Sequence, residues 1–456
     1  MFDDTIAAIA TPLGEGGLAV IRLSGPGALA IADRVFWPAA RSSSKPSDAA
    51  THTIHYGHVK HRGRVVDEVL VSVMRAPHTY TREDVVEITC HGGLLAAKSI
   101  LDTVLEGGAR LAEPGEFTKR AFLNGRLDLA QAEAVADLIH ARTELALAAA
   151  NEQLAGKLSQ RINRLRDDLV NLLAHVEAYL DFPDEDLAPD TQEQLLARLE
   201  RGLAFMDELL RTANEGQILR RGLRAAIVGR PNVGKSSLLN QLLGRDRAIV
   251  SHIAGTTRDT IEETANVRGL PAVFVDTAGL REAGDTLEQE GIRRSHEATA
   301  NAELVLHVFD ASEPFTAEDA HHLSRFAHKP RILVRNKIDL PARLDLPANL
   351  PAPVVEVCSL TGQGIEALKD AIKDRVWAGE IRSEMLEVMI NSRHQDALRR
   401  AREAAGRARD ALRTEVPLDL VASDVRLAVN AVGEIVGQTT TEDLLDSIFS
   451  QFCIGK

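Results

Sequence analysis

At 456 residues the chain is long enough for about two to four domains, and its 45% apolar and 26% charged residues indicate a folded soluble protein. A formal net charge of −13 argues against a surface that coats nucleic acid throughout, although a local basic patch stays compatible with it. The chain lacks a bilayer-length apolar run, starts with acidic residues and has three widely spaced cysteines. These features exclude a membrane span, a secretory signal and a disulfide or zinc framework, so we expect a cytoplasmic protein.

The first 120 residues have the pattern of a mixed α/β domain. Short apolar or alternating runs, separated by glycine and proline, predict strands at residues 18–23, 69–73 and 85–88. Residues 41–50 are rich in Ser, Ala and Pro and predict a flexible loop. We therefore expect an N-terminal α+β domain over residues 1–120.

Long Leu/Ala-rich stretches follow at residues 127–180 and 191–213. They are almost free of glycine and proline, and they predict amphipathic helices that break at residues 181–186. A similar helical pattern returns over residues 381–449.

Residues 220–377 differ from the helical stretches on either side. Apolar strand-like runs end there in Gly, Asp or Asn loops and alternate with helical stretches, as in a parallel α/β sheet. This order predicts an α/β domain inserted into a helical domain made of residues 121–219 and 378–456. Separate helical domains on either side are the alternative.

The first motif of the inserted domain is Gly229-Arg-Pro-Asn-Val-Gly-Lys-Ser236, which fits GxxxxGK[ST]. A strand-like run precedes it and a helix-like run follows, which is the context the motif requires. Its glycines let backbone N–H groups surround phosphate oxygens, Lys235 is predicted to reach the β- and γ-phosphates, and Ser236 to bind Mg²⁺. A chance glycine-rich turn is the alternative for this motif alone.

Three further motifs weaken that alternative: Asp276-Thr-Ala-Gly279, Asn336-Lys-Ile-Asp339 and Ser359-Leu-Thr361. Each follows a strand-like run, and α/β sheets bind ligands at the carboxyl ends of their strands. The first places a carboxylate beside the water shell of the metal. The second offers a carboxylate that accepts both N–H groups of one guanine edge, which adenine cannot supply. The third is predicted to close over the base through backbone contacts. The sequence therefore predicts GTP rather than ATP.

Thr257, within Gly255-Thr-Thr-Arg-Asp259, is the candidate switch threonine that closes on Mg²⁺ and the γ-phosphate. Leu280 stands where many small GTPases carry the glutamine that orients the attacking water. Catalysis must then be completed by a cation, a partner or another carboxylate. The nearby candidates are Glu282, Glu288 and Glu290. Taken singly, each is better interpreted as a solvated charge.

The groups expected to contact GTP lie in these motifs and in the residues that lead into the switch threonine. They are Asn232, Val233, Gly234, Lys235, Ser236, Ser237, Ser251, His252, Ile253, Ala254, Gly255, Thr256, Thr257, Asp276, Thr277, Ala278, Gly279, Asn336, Lys337, Asp339 and Ser359. Ser236 and Thr257 are the predicted Mg²⁺ ligands.

The nucleotide motifs resemble those of the bacterial tRNA modification GTPase family MnmE, also called TrmE. The resemblance covers essentially the whole chain, because four stretches outside the α/β segment also match the family. These stretches are Pro-Gly-Glu-Phe-Thr-Lys-Arg-Ala-Phe-Leu-Asn at 114–124, Leu-Asp-Leu-Ala-Gln-Ala-Glu-Ala at 127–134, Thr-Thr-Glu-Asp-Leu-Leu-Asp at 440–446 and Phe-Cys-Ile-Gly-Lys at 452–456. The resemblance implies an N-terminal dimerising, tetrahydrofolate-binding domain, a helical domain and an inserted P-loop GTPase domain.

The resemblance also implies a reaction and its partners. Together with the FAD-dependent flavoprotein MnmG, in a heterotetramer, such a homodimer adds a carboxymethylaminomethyl or aminomethyl group at C5 of the wobble uridine of certain tRNAs. The one-carbon donor is a tetrahydrofolate derivative, either 5-formyl- or 5,10-methylene-tetrahydrofolate. K⁺ promotes contact between two GTPase domains and supplies the positive charge that an arginine finger would give.

Carried over position by position, the resemblance assigns a K⁺ site and a catalytic glutamate. Asn232 would bind K⁺ through its side chain, and the backbone carbonyls of Ser251, Ile253 and Thr256 would complete the shell. Glu288 would orient or activate the attacking water. The resemblance thus replaces the earlier interpretation of Glu288 as a solvated charge.

The family's folate contacts match Arg22, Glu87, Arg126 and Lys456. The family often has lysine where Arg126 stands, and the two cations differ in how they contact an anion. Cys453 would lie close to the folate and uridine chemistry as a catalytic residue, with a structural thiol as the alternative.

Positive charge is concentrated on one predicted helix that is a candidate tRNA surface. Its arginines are Arg393, Arg399, Arg400, Arg402, Arg407, Arg409 and Arg413. A solvated, ion-paired helix face is an equally good interpretation. For the whole chain, a ribosome-assembly switch and a nucleotide-regulated scaffold are the competing functions.

Overall fold

The computed structural model describes residues 3–39, 45–181, 192–244, 263–276, 302–347, 350–377, 386–387, 389–414 and 417–456. This part of the chain forms two compact units. One combines residues 3–136 with Asn430–Lys456, and the other comprises the described residues between Asp137 and Val429.

The first unit is built on a seven-stranded sheet in the order β3-β4-β5-β6-β2-β1-β7, in which only β1 and β7 pair in parallel. The strands are β1 (Ile6–Ile9), β2 (Leu18–Ser24), β3 (Phe36–Pro38), β4 (Thr53–His61), β5 (Arg64–Met74), β6 (Val85–His91) and β7 (Arg110–Leu111). Its first helices are α1 (Ala28–Val35), α2 (Leu94–Glu106) and α3 (Glu116–Leu123). The predicted strands at 18–23, 69–73 and 85–88 are confirmed as parts of β2, β5 and β6.

Side chains alternate across this sheet, as strand geometry requires. Ile21, Val71 and Ile88 face α1 and α2 in a buried apolar cluster. The opposite face carries the register row Ile54–Ser72–Glu87–Arg22 across β4, β5, β6 and β2. Apolar side chains on this opposite face stay exposed, among them Trp37, Ile54, Tyr56 and Leu70.

A charge network surrounds Arg120 of α3, whose side chain is fully buried. Its guanidinium contacts Asp4 at 2.7 Å, Glu116 at 3.0 Å and Glu83 at 3.3 Å. Arg110 reaches Asp4 at 2.7 Å and Glu116 at 2.6 Å. Burial alone would raise the pKa of the Glu116 carboxyl, but hydrogen bonds from Arg110, the backbone and Arg120 hold this pKa below its usual value. The network fastens α3 to the strands through paired charges.

Helices precede the second sheet: α4 (Leu129–His140), α5 (Glu144–Leu154), α6 (Lys157–Asp181), α7 (Gln192–Arg211) and α8 (Ala213–Arg221). The predicted helical stretch at 127–180 is divided into three. The side chain of Thr143 accepts a hydrogen bond from the Ala146 N–H and starts α5, while Gly156, at φ 82°, lies between α5 and α6. None of the described helices combines the length and the apolarity needed to cross a bilayer.

The second sheet has six strands in the order β13-β12-β11-β8-β10-β9, all parallel except β9 against β10. The strands are β8 (Leu223–Val228), β9 (Glu263–Val267), β10 (Leu270–Asp276), β11 (Leu304–Asp310), β12 (Arg331–Asn336) and β13 (Val354–Glu356). Its helices are α9 (Lys235–Leu243), α10 (Ala317–Arg325) and α11 (Ile365–Val376). This arrangement confirms the parallel α/β sheet predicted for residues 220–377. It places the described residues of the predicted motifs at the carboxyl ends of β8 and β12, and Asp276 at the end of β10.

Helices α12 (Ser392–Arg413), α13 (Leu418–Val436) and α14 (Glu442–Phe449) follow the sheet. Five arginines of α12 pair with carboxylates of their own or neighbouring helices. The pairs are Arg400–Asp396, Arg402–Asp207, Arg407–Asp424, Arg409–Asp410 and Arg413–Glu200. This pairing favours the ion-paired helix face over a tRNA surface on α12.

Candidate functional site

Two glycines shape the loop between β8 and α9. Gly229 has φ 149°, and a Cβ there would lie 2.3 Å from the carbonyl oxygen of Val308 on β11. Gly234, at φ 95°, immediately precedes α9, and a Cβ there would lie 2.3 Å from Nδ2 of Asn336. Both positions therefore require glycine, because a side chain would push the loop away from the sheet.

Lys235 opens α9 and folds back over the same loop. Its ammonium donates hydrogen bonds to the carbonyl oxygens of Gly229 at 2.9 Å and Arg230 at 2.8 Å. Ser236 and Ser237 follow as exposed residues in the first turn of the helix. A helix N-terminus with a lysine and free hydroxyls beside it favours a phosphate and its metal.

Asn336, at the end of β12, ties this loop to a second loop. It is buried, and its Nδ2 donates to the carbonyl of Val233 at 2.7 Å. Its Oδ1 accepts from the N–H of Ser359 at 3.0 Å and from the Ser359 hydroxyl at 2.9 Å. Gln241 of α9 donates to the Ser359 carbonyl at 3.0 Å. One amide side chain thus fixes the predicted phosphate loop (Gly229–Ser236) and the predicted base loop (Ser359–Thr361) together.

Asp339, the predicted reader of guanine, is exposed three residues beyond Asn336. Its Oδ1 accepts a hydrogen bond from the buried thiol of Cys358 at 3.1 Å. Lys337 lies at φ 63° and contacts Asp310 at 2.6 Å. Burial alone would raise the pKa of Asp310, but hydrogen bonds from Lys337 and Ser312 lower it. The sequence did not predict the contact of Cys358 with Asp339, because Cys358 belongs to none of the recognised nucleotide-binding motifs.

Part of the predicted nucleotide site lies outside the described residues. This holds for Ser251, His252, Ile253, Ala254, Gly255, Thr256, Thr257, Thr277, Ala278, Gly279, Glu288 and the side chain of Asp276. Their assigned roles stay predictions, as does the K⁺ shell, to which Ser251, Ile253 and Thr256 were assigned.

A second group of predicted residues comes together in the first unit. Arg22 donates to Glu87 at 2.8 Å and to the carbonyl of Gly455 at 3.2 Å. Gly455 has φ 94°, and a Cβ there would lie 2.6 Å from the carbonyl oxygen of Ile9. This close approach brings the 452–456 segment against β1.

Lys456 is half-buried beside this pair. Burial lowers its pKa, the positive charge of Arg22 lowers it further, and Glu87 opposes the change. Cys453, three residues earlier, is exposed. The structure therefore brings Arg22, Glu87 and Lys456 into one charged cluster, with Cys453 nearby in the chain.

Arg126 reaches the same neighbourhood through an aromatic residue. Its guanidinium lies 5.3 Å from the ring centre of Tyr80 and donates to the carbonyl of Thr79 at 2.8 Å. Burial raises the pKa of Tyr80, while its hydrogen bond with Thr118 and the charges of Arg22 and Arg126 act against that rise. Tyr80 was absent from the sequence prediction, because a single tyrosine in a loop has no spacing to identify it.

Comparisons with known proteins cover almost the whole chain. The model of the MnmE helical domain matches residues 129–453, and the model described as "GTP-binding protein TrmE N-terminus" matches residues 5–126. The tRNA modification GTPase MnmE of Listeria welshimeri is 48% identical over 458 residues, covering 99% of both chains. The protein of the same description from Geobacillus kaustophilus is 49% identical over 460 residues, also covering 99% of both.

Among solved structures, the G domain of the T. maritima FeoB iron transporter is similar to 34% of this chain and 98% of its own, at 28% identity with a TM-score of 0.26. At that score the likeness carries no conclusion about this chain.

Proposed function

Since this chain belongs to the MnmE family of tRNA modification GTPases, we propose that its GTP hydrolysis drives modification of C5 of the wobble uridine in certain tRNAs. The modification is a carboxymethylaminomethyl or aminomethyl group. The flavoprotein MnmG, with its FAD, is the proposed partner in a heterotetramer. The observation that carries this proposal is the identity of nearly half over 99% of the chain, including both regions that flank the inserted domain.

Family membership settles the coarser features. The fold class is confirmed as a P-loop GTPase domain inserted into a helical domain, with an N-terminal α+β domain. The chain is a GTP hydrolase with a role in tRNA modification. The domain boundaries at residues 120, 219 and 377 stay predictions.

The phosphate loop has groups that fit a nucleoside triphosphate and Mg²⁺. Lys235 would neutralise phosphate charge, the N–H groups around Gly234 would bind the phosphate oxygens, and Ser236 would hold Mg²⁺ with Thr257. Asp339 would accept from guanine while the thiol of Cys358 keeps its carboxylate oriented. Mg²⁺, when bound, neutralises charge between the β- and γ-phosphates.

K⁺ is the proposed cation that replaces an arginine finger. Asn232 is exposed within the phosphate loop and offers an amide oxygen, a hard ligand that suits such an ion. Glu288 is the proposed group that orients water. A cation shared by phosphate oxygens fits a transition state that spreads charge over them.

GTP hydrolysis by the full-length protein is expected to be strongly faster in KCl than in NaCl at equal ionic strength. Glu288→Ala is expected to lose roughly 100-fold or more of the K⁺-stimulated rate, because a residue that positions water acts mainly in the transition state. Steady-state phosphate release measures the rates, and binding of a fluorescent GDP analogue is the control for folding. Equal wild-type rates in both salts would contradict the K⁺ proposal and leave the GTPase assignment intact.

The charged cluster of the first unit is the proposed tetrahydrofolate site. Glu87 would bind a pterin ring edge, while Arg22, Arg126 and Lys456 would contact anionic groups. Tyr80, beneath Arg126, adds an aromatic surface for a planar ring. The geometry fits a ligand that carries both a polar ring and carboxylates.

Arg22→Met is expected to weaken binding of 5-formyl-tetrahydrofolate by about 10- to 100-fold, because it removes a charge-assisted hydrogen bond and frees Glu87 from its partner. Isothermal titration calorimetry on the full-length protein measures this change. Arg34→Met, at an exposed arginine of α1, is the matched control and should bind like the wild type. Unchanged affinity in Arg22→Met would remove this cluster as the folate site.

A homodimer through the N-terminal sheet is the proposed assembly. Tyr56 and Leu70 are cross-strand partners and are 51% and 44% exposed, and Ile54 on the same face is 68% exposed. Contiguous apolar surface of this kind commonly marks an interface. Ile54→Lys is expected to shift the protein from dimer to monomer in sedimentation velocity, and an unchanged dimer would exclude this face.

Nucleoside analysis of tRNA by mass spectrometry tests the whole proposal. A strain without this protein is expected to lose the modified wobble uridine and to regain it with the wild-type gene. Retained modification together with defects in ribosomal particles would favour the ribosome-assembly switch. Retained modification without such defects would favour a scaffold. The same assay on Cys453→Ser examines the proposed catalytic role of that thiol, which normal modification would contradict.

A further inference from the structure

Arg230, the second residue of the phosphate loop, is held by two carboxylates from outside the loop. Its Nη2 donates to Oε2 of Glu313 at 2.9 Å, and its Nε lies 2.9 Å from Oδ1 of Asp319. The Arg230 side chain is only 15% exposed and that of Asp319 only 1% exposed, so solvent screens their ion pair weakly. The other oxygen of Asp319 accepts from the N–H and hydroxyl of Thr316 in the cap of α10. The carboxylate that holds Arg230 is therefore itself fixed.

The backbone two residues after Arg230 is left-handed. Asn232 has φ 64°, a conformation that asparagine adopts more readily than other residues with a Cβ but that remains less favourable than an ordinary helical or extended one. A residue with this φ keeps it where the surrounding structure holds the backbone on both sides. On the downstream side, Val233 is buried and its carbonyl accepts from Asn336.

The upstream side of Asn232 needs its own anchor. The ring of Pro231 restricts its own φ, so a shift in the position of Arg230 is passed along the backbone to Asn232. The carbonyl of Arg230 accepts from Lys235, and the Arg230 guanidinium reaches Glu313 and Asp319. The ion pairs of Arg230 are thus the side-chain contacts that fasten the loop before Asn232 to α10 and the segment that leads into it.

We infer that Arg230 is a positioning residue for the cation site: its pairing with Asp319 and Glu313 holds Asn232 in the conformation that binds K⁺. This inference rests on the proposed function, in which Asn232 supplies a K⁺ ligand. Arg230 acts through the backbone rather than by contact with the nucleotide. Without its anchor, Asn232 relaxes toward an ordinary φ, and K⁺ binding weakens more than nucleotide binding, which also depends on Lys235.

The test compares Arg230→Met and Arg230→Lys with wild type, all as full-length protein. GTP hydrolysis is measured against KCl concentration, with NaCl holding the ionic strength constant. A fluorescent GDP analogue in NaCl gives the nucleotide affinity. Arg230→Met is expected to raise the half-activating KCl concentration about tenfold while the Kd for the GDP analogue changes less than about threefold. Arg230→Lys is expected to fall between, because an ammonium lacks the guanidinium fork that reaches both carboxylates.

Arg268→Met is the matched control. Arg268 also contacts two carboxylates, Glu366 and Asp370, each at 2.6 Å, but it lies in the turn between β9 and β10 rather than in the phosphate loop. It should leave the KCl dependence unchanged. A KCl curve for Arg230→Met like that of wild type would overturn the inference. So would equal losses of K⁺ response and GDP affinity, which would indicate collapse of the whole loop.

Thermal unfolding checks that Arg230→Met folds. If it does not, Glu313→Gln makes the same test, because that carboxylate is 54% exposed and its removal leaves the buried Asp319 in place. We then expect a shift of about threefold in half-activating KCl, and no shift would overturn the inference. If KCl does not stimulate GTP hydrolysis by the wild-type protein, the proposed K⁺ mechanism itself is contradicted. The wild-type measurement alone distinguishes this outcome from failure of the inference about Arg230.

Discussion

Replacing Asn336 by alanine is expected to lower the affinity for both GTP and GDP about 100-fold, which corresponds to the loss of two or three hydrogen bonds. The amide of Asn336 donates to Val233 and accepts twice from Ser359. Alanine makes none of these contacts. The phosphate loop and the base loop would then be held together less tightly, through the hydrogen bond from Gln241 to the Ser359 carbonyl, so the nucleotide would have to order both loops more when it binds.

Titration of a fluorescent GDP analogue into the full-length variant measures this loss. Asn240→Ala is the matched control, because Asn240 is an exposed asparagine on α9. It should bind with wild-type affinity. An affinity of Asn336→Ala within about threefold of wild type would show that the two loops are held together by other contacts.

Replacing Arg120 by methionine is expected to lower the free energy of unfolding of the N-terminal unit by about 3–5 kcal/mol. Methionine fills much of the volume but leaves Glu83 and Glu116 without their buried partner. Both carboxylates are themselves largely buried, so water replaces the lost contacts poorly. Denaturant unfolding followed by circular dichroism measures the change.

Arg110→Met is the comparison for Arg120. Arg110 contacts Asp4 and Glu116, but its side chain is 44% exposed, so its loss should cost about 1 kcal/mol. A similar cost for both variants would mean that the burial of Arg120 adds nothing to the network.

The same network predicts the response of stability to acid. The pKa of Glu116 lies below its usual value of 4.5 in the folded protein, so its contribution is fully present above that value. The contribution is lost as pH falls through the lower, folded-state pKa. Denaturation midpoints measured from about pH 6 down to about pH 3 should therefore fall more steeply for wild type than for Glu116→Gln.

The sequence predicted most of the structural framework because its signals are local. Apolar runs predicted the strands β2, β5, β6 and β8, and the glycines of the phosphate loop predicted the turn between β8 and α9. The motif at Asn336 was recognised as part of the nucleotide site. The spacing of the residues in this motif did not predict the hydrogen bond from Asn336 to Val233, because that bond depends on how strands that are far apart in sequence are arranged in the sheet.

Other features escaped prediction for the same reason. Arg120 appeared within a family motif, but its burial among Asp4, Glu83 and Glu116 follows from tertiary packing. The arginines of α12 looked like a basic surface because their acidic partners come largely from other helices. Charge counted along one helix does not reveal how much of it is neutralised across helices.

The bond between Asn336 and Val233 has a consequence during synthesis of the protein. The two residues are 103 positions apart, and Ser359 lies 23 positions beyond Asn336. A nascent chain that has left the ribosome only as far as the phosphate loop lacks Asn336, so the hydrogen bond that holds Val233 of this loop cannot yet form. By the expected loss for Asn336→Ala, nucleotide binds such a chain about 100-fold more weakly, so it assists folding mainly after β12 and the Ser359 loop have left the ribosome.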